Sequence, residues 1–336
     1  MASPASLPIP RPRRPRVAET PAAFNCARLA ARTIHGVADA LKRAFTDSGP
    51  LVARRHGKVL VLPSCGHLLF CTDLHGNLRD FHRMRALFEQ AKDEHGSAQL
   101  LFCGDLVHGP CYAREEWPDY LGEFYVDQSG ALLDDFIELS KAHPGEVHCL
   151  LGNHEHSHIG GPHTPKFWED ETAYFEHSVG EEQAARYREL FRGFPLIALS
   201  SCGVAFTHAA PNVEINGLTE LVEAEYAGHE QMNLMSIYTM PLLGRLLWSR
   251  RCPEVVVKRF LGIVGKDAPL HHVVAFGHDI AIGGYERFGD EQLMLSTSFG
   301  LDDEDKTYLE IDLGACYGSV DDLTPGRELK ALWPDD

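Results

Sequence analysis

Five short apolar runs, each ending in a residue that can bind a metal ion, constrain the fold of this chain more than any other feature. The runs lead into Asp73, Asp105, Asn153, His208 and His278. Continuous apolar runs are typical of buried strands, and α/β proteins place their functional groups just beyond the carboxyl ends of such strands. The pattern therefore predicts a metal site along one edge of a β-sheet.

The length and apolar content fit a packed core, because 336 residues that are 44% hydrophobic can form one large α/β domain or two small ones. No stretch approaches the roughly 18 apolar residues of a membrane span, and the N-terminus lacks the apolar segment of a secretory signal. We therefore expect a cytoplasmic protein with no membrane partner. The nine cysteines are scattered and never in Cys-x-x-Cys spacing, so we expect them to be reduced and mostly buried.

The formal net charge of -17 argues against a nucleic-acid partner, because neutralising a phosphate backbone requires clustered Lys and Arg. A group of divalent cations can nevertheless reverse the electrostatic field inside one cleft of an acidic protein. A phosphorylated substrate is therefore compatible with this composition.

The N-terminal region divides into two segments by composition and periodicity. Residues 1–22 combine six prolines with four arginines, a composition that cannot bury enough apolar surface to fold, so we predict a disordered basic arm. Residues 23–57 are predicted to be a leading helical segment, since apolar residues recur at helical spacing from Phe24 to about Phe45.

Strand patterns alternate with helical patterns through the rest of the chain, as in βαβ units. Strand patterns occur at 58–62, 67–71, 98–103, 146–151, 195–199, 203–207, 292–297 and 307–312. Helical patterns occur at 77–93, 129–142, 181–191 and through most of 215–265. The first two strands look like a neighbouring pair, as do 195–199 and 203–207, whereas 108–128 is predicted to be an aromatic-rich loop.

The residue types at the run ends suit a pair of metal ions. Asp73 and His75 are two residues apart, so the alternation of a strand lets both side chains turn toward one ion. Asp105 follows Gly104, which permits a close approach, and is placed to bridge two ions. Two ions about 3.5 to 4 Å apart can hold the attacking and the leaving oxygen of a phosphoryl transfer.

Five blocks of the sequence, taken in order, resemble those of the calcineurin-like metallophosphoesterases. The blocks are Asp73-Leu-His75-Gly76-Asn77, Gly104-Asp105-Leu-Val-His-Gly109, Gly152-Asn153-His154-Glu155, Thr207-His208-Ala-Ala-Pro211 and Gly277-His278. The resemblance is closest to the phosphoprotein phosphatase branch, which hydrolyses phosphoserine and phosphothreonine, and Leu246-Leu-Trp248-Ser also looks like that branch. It implies an α/β fold with two mixed β-sheets in a sandwich flanked by helices. The metallophosphoesterase catalytic domain would occupy 58–320, followed by an acidic tail at 321–336.

The resemblance also implies a role for each block. The ligands of the two metal ions would be Asp73, His75, Asp105, Asn153, His208 and His278, with Asp105 shared by both ions. A bridging water would attack phosphorus, and His154 would protonate the leaving group as the general acid. Mn or Fe suits this set of nitrogen and oxygen ligands, and Zn is possible.

The chain departs from the family pattern at its phosphate-binding positions. Where the family usually continues after Val107 with Asp-Arg-Gly, this chain has His108-Gly109-Pro110, so that the block ending in Gly109 is one residue shorter. Phe276 stands where the family has an Arg two residues before the last His ligand. The resemblance therefore predicts an intact metal site in which the usual cationic contacts to phosphate are depleted.

Four residues are candidates for replacing the missing substrate contacts. His108 would hydrogen-bond either to phosphate or to His154, and Arg250 or Arg251 would contact phosphate, as would Arg114 from the 108–128 loop. For each arginine, a solvated surface charge is the simpler interpretation.

Other polar residues near the blocks are interpreted more simply. His156, His158 and His163 fit a polar loop, Glu155 is expected to support the site through hydrogen bonds, and Trp248 fits a core or pocket-wall position.

Three function classes follow from these observations, in order of preference. The first is a protein serine/threonine phosphatase that acts on a phosphorylated protein. The second is a small-molecule metallophosphohydrolase that cleaves nucleotides or dinucleoside polyphosphates, which the missing Asp-Arg-Gly makes more plausible. The third is a non-catalytic phosphate-binding module, which would be expected to have lost ligands. The sequence leaves the physiological target and the oligomeric state open.

Overall fold

The computed structural model of the protein describes Arg43, residues 51–266 and residues 270–334. The predicted basic arm at 1–22 lies outside these residues. The predicted helix from Phe24 to about Phe45 also lies outside them, except for Arg43, which is helical. Strands and helices of the described residues form one α/β sandwich.

The first sheet has seven strands and mixes parallel with antiparallel pairs. In spatial order the strands are β1 (Arg54–His56), β2 (Val59–Val61), β6 (Ile197–Leu199), β7 (Val204–Thr207), β8 (Val273–Phe276), β10 (Gln292–Leu295) and β9 (Tyr285–Phe288). The pairs β2–β6, β7–β8 and β8–β10 are parallel. The pairs β1–β2, β6–β7 and β9–β10 are antiparallel.

The second sheet has five strands and is also mixed. In spatial order they are β12 (Leu329–Ala331), β11 (Thr307–Asp312), β3 (His67–Cys71), β4 (Ala98–Phe102) and β5 (Val147–Cys149). The strands β3, β4 and β5 are parallel to one another, and β11 is antiparallel to both of its neighbours. The predicted α/β fold with two mixed sheets is thus confirmed.

Eight helices of the described residues flank the two sheets or follow their strand ends. They are α1 (Leu78–His95), α2 (Ser129–Ala142), α3 (Asn153–His156), α4 (Glu171–Val179), α5 (Glu181–Arg192), α6 (Leu218–Val222), α7 (Leu243–Trp248) and α8 (Glu254–Val264). Short 3-10 turns lie at Arg114–Glu116, Asp119–Leu121, Leu234–Thr239 and Val320–Asp322. None of the described helices is both long and apolar enough to cross a membrane.

The periodicity of the sequence explains which faces are buried. In β3, Leu68 and Phe70 point between the sheets, where Phe70 meets Phe206 of β7 with 4.9 Å between ring centroids. The alternate residues of β3 point outward to α1, whose buried positions Phe81, Met84, Phe88 and Ala91 recur at helical spacing. Asn77 caps the start of α1, and Gly96 ends it in a left-handed conformation.

Two predictions about the N-terminal strands are wrong. The strands at 58–62 and 67–71 were expected to pair, but β2 pairs with β1 and β6, while β3 belongs to the other sheet. The segment predicted to be helical as far as residue 57 ends in β1, because Gly57, with φ of 57°, lets the chain turn back and pair Arg54 with Val61.

The two sheets also extend beyond residues 58 and 320, the predicted bounds of the catalytic domain. The predicted acidic tail at 321–336 contributes β12, which pairs with β11, because Leu329 and Leu332 are buried against the domain. The strand β1 extends the other sheet at the N-terminal side. Folded structure therefore starts before residue 58 and continues past residue 320.

A buried ion pair fastens the C-terminal part of the chain to α1. The ammonium of Lys306 lies 2.8 Å from a carboxylate oxygen of Asp80, and both side chains are almost fully buried. Asp80 also accepts hydrogen bonds from Ser298 Oγ, at 2.6 Å, and from Trp333 Nε1, at 3.0 Å. Removal of either partner would leave the other charge buried and unpaired, which is strongly destabilising.

The cysteines of the described residues are all free, and most are buried, as expected. The buried ones are Cys71, Cys103, Cys149, Cys202 and Cys252. Burial raises the pKa of Cys71, Cys103 and Cys149 well above its usual range, so these thiols near the strand ends behave as small apolar side chains.

Candidate active site

The five apolar runs form β3, β4, β5, β7 and β8, and the residues that follow them converge at one end of the sandwich. A carboxylate oxygen of Asp105 lies at the centre of the group. It is 3.8 Å from His75 Nε2, 3.6 Å from His208 Nε2 and 4.0 Å from His154 Nε2. Asp105 with His208 and His278, and Asp105 with His75 and His154, each form a group of mutually close donor atoms.

The backbone of these loops is held in an unusual conformation. Five residues other than glycine have positive φ within the described part of the chain: Asp73 (49°), His75 (43°), Asp105 (52°), His108 (68°) and His278 (69°). A left-handed conformation costs about 1 to 2 kcal/mol for a residue with a Cβ. Such residues persist where the surrounding structure fixes them, and they cluster at functional sites.

Two glycines bring backbone close to the carboxylates. A Cβ on Gly152 would lie 2.3 Å from Asp105 Oδ1, and a Cβ on Gly277 would lie 2.2 Å from Asp73 Oδ2. Neither distance allows a side chain. The close approach lets the His278 N–H donate to both carboxylate oxygens of Asp73, at 3.1 and 3.0 Å. Similarly, the His154 N–H donates to Asp105 Oδ1 at 3.1 Å.

Backbone carbonyls fix the orientation of two imidazoles. His75 Nδ1 donates to the carbonyls of Val107 and His108, both at 3.1 Å, and His208 Nδ1 donates to the carbonyl of Cys103 at 2.9 Å. In a neutral ring the Nε2 atom then carries a lone pair. His208 Nε2 faces Asn153 Oδ1, another acceptor, at 3.0 Å. Two acceptors that face each other so closely suit a shared cation.

The charges of the site also fit metal ions. Burial raises the pKa of Asp73 and of Asp105, each to about 7. Burial lowers the pKa of His75 well below its usual range and lowers that of His208, so these rings stay neutral. The cluster thus has two carboxylates and neutral nitrogen donors but too little positive charge. Two cations would supply it, and the buried His and Asp groups fit a metal site of mixed nitrogen and oxygen ligands.

Glu155 supports the loops through hydrogen bonds, as expected. Its carboxylate accepts the backbone N–H groups of Asp105, at 2.8 Å, Leu106, at 2.7 Å, and Gly152, at 3.1 Å. It therefore ties the loop after β4 to the loop after β5.

His154 projects beside Asp105, and its second nitrogen contacts His108. The two Nδ1 atoms are 2.9 Å apart, and both rings are buried. Of the two contacts predicted for His108, the structure shows the one to His154. The polar-loop interpretation is wrong for His156, which is buried in α3 with its Nε2 2.8 Å from the carbonyl of Tyr226. It is also wrong for His158, because its ring is buried and its Nε2 lies 2.9 Å from His108 Nε2.

Two further residues at the site carry no signal in the sequence. A carboxylate oxygen of Glu171, at the start of α4, lies 3.6 Å from His154 Nδ1. An acid at this position would normally be read as an exposed residue in the first turn of a helix. Lys166 belongs to a polar loop in the sequence, but its ammonium lies 3.9 Å from the ring centroid of Phe299 and lines the cleft.

A cleft lies over the cluster and continues into a neighbouring recess. The cleft has a volume of about 250 Å³ and is walled by Thr164, Pro165, Lys166, Trp248 and Arg250. The recess, of about 230 Å³, starts beside Asp73 and is walled by Tyr120, Leu121, Phe167, Ile280 and Phe299. Lys166 and Arg250 line both cavities. Burial lowers the pKa of Lys166, and the carboxylates of Asp105 and Glu171 oppose that effect.

The predicted arginines differ in their placement. Arg250 lines the cleft and pairs with Asp279. The guanidinium of Arg251 instead lies 4.5 Å from the ring centroid of Phe288 and 3.6 Å from Glu286. Arg114 stacks on Phe124 at 4.1 Å. The structure therefore brings Arg250 to the cleft and does not bring Arg251 there.

Solved structures of three kinds of phosphatase or phosphoesterase show some similarity to this chain. A protein serine/threonine phosphatase from Saccharomyces cerevisiae with similarity to human phosphatase PP5 has a TM-score of 0.52 and 14% identity, over 84% of this chain and 82% of that chain. A cold-active protein-tyrosine phosphatase of a psychrophile, Shewanella sp., has a TM-score of 0.41 and 11% identity, over 76% and 78% of the two chains. A metallophosphoesterase from Sphaerobacter thermophilus has a TM-score of 0.36 and 12% identity, over 75% and 85%. At 14% identity, the similarity to the phosphatase from Saccharomyces cerevisiae shows only that the fold is shared.

No curated protein sequence matches the chain with significance. The family model of the calcineurin-like phosphoesterases matches residues 66–309, which is well over half of the chain and contains every residue of the cluster. The chain therefore belongs to the calcineurin-like phosphoesterases and is a metal-dependent hydrolase of phosphoesters.

Proposed function

We propose that this protein is a protein serine/threonine phosphatase that works with two metal ions. The observation that carries this proposal is the placement of His154, which is buried, held by His108 and turned toward Asp105 at 4.0 Å. Serine and threonine leave as alkoxides, which are poor leaving groups, so their release needs a proton from a general acid. When a nucleoside polyphosphate is hydrolysed, the leaving group is a phosphate oxygen, which is a much weaker base than an alkoxide and has less need of a general acid.

The ligands of one ion would be Asp73, His75 and Asp105. Those of the second would be Asp105, Asn153, His208 and His278. When bound, the pair of ions supplies Lewis acidity and an activated water for in-line attack on phosphorus. Mn or Fe suits the donors, and Zn is possible. A cytoplasmic location, consistent with the free cysteines, is part of the same proposal.

The protein itself would supply the proton and the charge for the substrate. The negative phosphate, bound beside His154, favours the protonated form of that ring, which then gives the Nε2 proton to the leaving oxygen. Lys166 and Arg250, on the wall of the cleft, would neutralise the phosphate oxygens. These two cations would replace the contacts that the family draws from the missing Asp-Arg-Gly.

The second candidate is a small-molecule metallophosphohydrolase, which the absence of the usual arginine after Val107 favours. The motifs Gly152-Asn153-His154-Glu155 and Leu246-Leu-Trp248-Ser favour the protein phosphatase. The serine/threonine phosphatase from Saccharomyces cerevisiae, which shares this fold, is consistent with that choice.

One set of assays tests the proposal. With added Mn²⁺, the purified protein should hydrolyse p-nitrophenyl phosphate, and Asp105→Asn should abolish that activity; full activity in this variant would exclude Asp105 as the bridging ligand. Phosphoserine, phosphothreonine and phosphotyrosine peptides are then compared with diadenosine tetraphosphate at matched concentrations. Turnover of the dinucleotide alone would replace the proposal with the second candidate.

A further inference from the structure

Three buried histidines form a line of hydrogen bonds that leads from the site to the protein surface. His154 Nδ1 lies 2.9 Å from His108 Nδ1, and His108 Nε2 lies 2.9 Å from His158 Nε2. His158 Nδ1 then lies 2.9 Å from a carboxylate oxygen of Glu176. The Glu176 side chain is a quarter exposed and receives Arg188 at 2.6 Å on its other oxygen. We call these residues the histidine relay: His154, His108, His158 and Glu176.

The carboxylate at the outer end determines the direction of every hydrogen bond. A carboxylate only accepts, so His158 Nδ1 must donate to Glu176. A neutral imidazole has one donor and one acceptor, so His158 Nε2 accepts from His108 Nε2. For the same reason His108 Nδ1 accepts, and His154 Nδ1 donates. Burial lowers the pKa of His108 well below its usual range and also lowers that of His158, which keeps both rings neutral.

We propose that Glu176 and His158 are positioning residues that fix the tautomer and the orientation of His154 through His108. This inference rests on the proposed function, in which His154 is the general acid. With Nδ1–H committed to His108, the reactive nitrogen of His154 is always Nε2, the atom that faces Asp105. An imidazole in the wrong tautomer presents the wrong nitrogen to the substrate and loses most of its catalytic effect.

The relay stands where this sequence lacks an acid. The family's Asp after the second block is replaced by His108, a residue that orients a neighbour only if its own protons are fixed. Two helices supply the residues that fix them. Glu176 and Phe175 lie in α4, and Arg188 and Phe191 lie in α5. The His158 ring packs on Phe175 and Phe191 with centroid distances of 5.5 and 5.4 Å.

Glu171 is the alternative partner of His154, and its geometry is less favourable. Its nearer oxygen is 3.6 Å from His154 Nδ1, beyond hydrogen-bond distance. Both of its oxygens already accept other donors, namely the Thr164 hydroxyl and the Phe167 N–H. The relay, in contrast, offers His154 a partner at 2.9 Å.

Two substitutions of the same residue separate positioning from packing. His158→Phe keeps an aromatic ring against Phe175 and Phe191 but breaks the line of hydrogen bonds. His158→Gln restores one acceptor for His108 and one donor for Glu176. We expect His158→Phe to lower kcat on a phosphoserine peptide by at least tenfold, within the roughly 10²- to 10⁴-fold effect of general acid catalysis. The KM should not change, and His158→Gln should recover most of the rate.

The leaving group supplies the readout that a structural defect would not mimic. p-Nitrophenolate leaves without a proton, so His158→Phe should hydrolyse p-nitrophenyl phosphate at close to the wild-type rate. His163→Phe is the matched control, because His163 is exposed and pairs with Asp170 outside the relay. Equal losses on both substrates, or full activity of His158→Phe on the peptide, would overturn the inference.

A spectroscopic measurement tests the relay without relying on activity. In ¹⁵N-histidine NMR of the metal-free protein, His158 should show a protonated Nδ1 and an unprotonated Nε2, and Glu176→Met should remove that pattern. An unchanged tautomer in Glu176→Met would refute the relay, and this second variant also serves if His158→Phe fails to fold. If the wild type shows the tautomer but hydrolyses no phosphopeptide, the proposed function fails while the hydrogen-bond assignment stands.

Discussion

Gly152→Ala tests whether the close approach of backbone to Asp105 sets the geometry of the site. The new Cβ would lie 2.3 Å from Asp105 Oδ1, 2.4 Å from Asp105 N and 2.6 Å from Glu155 Oε2. Because Asp105 N is backbone and Glu155 ties two loops together, no flexible side chain can move aside. The loop after β4 must shift instead, and the Asp105 carboxylate moves with it.

The size of the effect follows from the distances. A carbon and an oxygen in ordinary contact are about 3.3 Å apart, so a contact of 2.3 Å has to open by about 1 Å. A displacement of about 1 Å at a reacting centre costs on the order of 10²-fold in rate, or about 2.7 kcal/mol of transition-state stabilisation. Overpacking should also lower the free energy of unfolding by about 1 to 3 kcal/mol.

The assay measures kcat/KM for p-nitrophenyl phosphate with Mn²⁺, together with the Mn²⁺ affinity by calorimetric titration. Gly262→Ala is the matched control, because Gly262 lies in α8 with open space around its Cα. That variant should keep its activity and gain about 0.5 to 1 kcal/mol of stability. If Gly152→Ala folds and keeps kcat/KM and Mn²⁺ affinity near the wild-type values, the close approach does not constrain Asp105.

Three further changes have defined outcomes. Lys166→Met should lower kcat/KM about tenfold or more, the value of a charge-assisted contact to phosphate, while Arg251→Met should leave it unchanged in the same assay. Lys306→Met should cost about 3 to 5 kcal/mol in denaturant unfolding, because Asp80 would remain buried without its cation. Raised pKa values near 7 for Asp73 and Asp105 mean that folding favours their protonated forms. Their contribution to stability is therefore complete below about pH 4 and lost as pH rises through about 7. The Tm of the metal-free protein should accordingly fall over this range, and a flat Tm would contradict this burial effect.

The strand ends could be predicted because their signal is local. Each apolar run and the polar residue after it lie within a few positions, so Asp73, Asp105 and His208 could be placed at a sheet edge from the sequence. The resemblance to the family was needed to predict that all five blocks meet at one metal site. The prediction that β2 pairs with β3 is wrong because strand pairing depends on distant segments of the chain. Here β2 pairs with β6 and β3 pairs with β11, and no local pattern specifies either partner.

The missed residues share a different cause. His158 and Lys166 belong to a segment with no apolar periodicity, which predicts a polar loop, and Glu171 follows this segment at the start of α4, where an exposed acid is expected. Their burial or approach to the cleft arises only when α4 and α5 fold back against the loop after β5. The role of a polar residue in this segment depends on its tertiary contacts, and these cannot be predicted from the spacing of residues in the sequence.

The inter-sheet core has a consequence for activity as well as for stability. Asp73, Asp105 and Asn153 follow strands of one sheet, while His208 and His278 follow strands of the other. The distance between the two groups is therefore set by the thickness of the layer in which Phe70 meets Phe206. A smaller residue in that layer would let the sheets settle closer together and change the spacing of the proposed ligands from within. Substitutions in this layer, far from the cleft, should therefore alter the catalytic rate although no proposed ligand has changed.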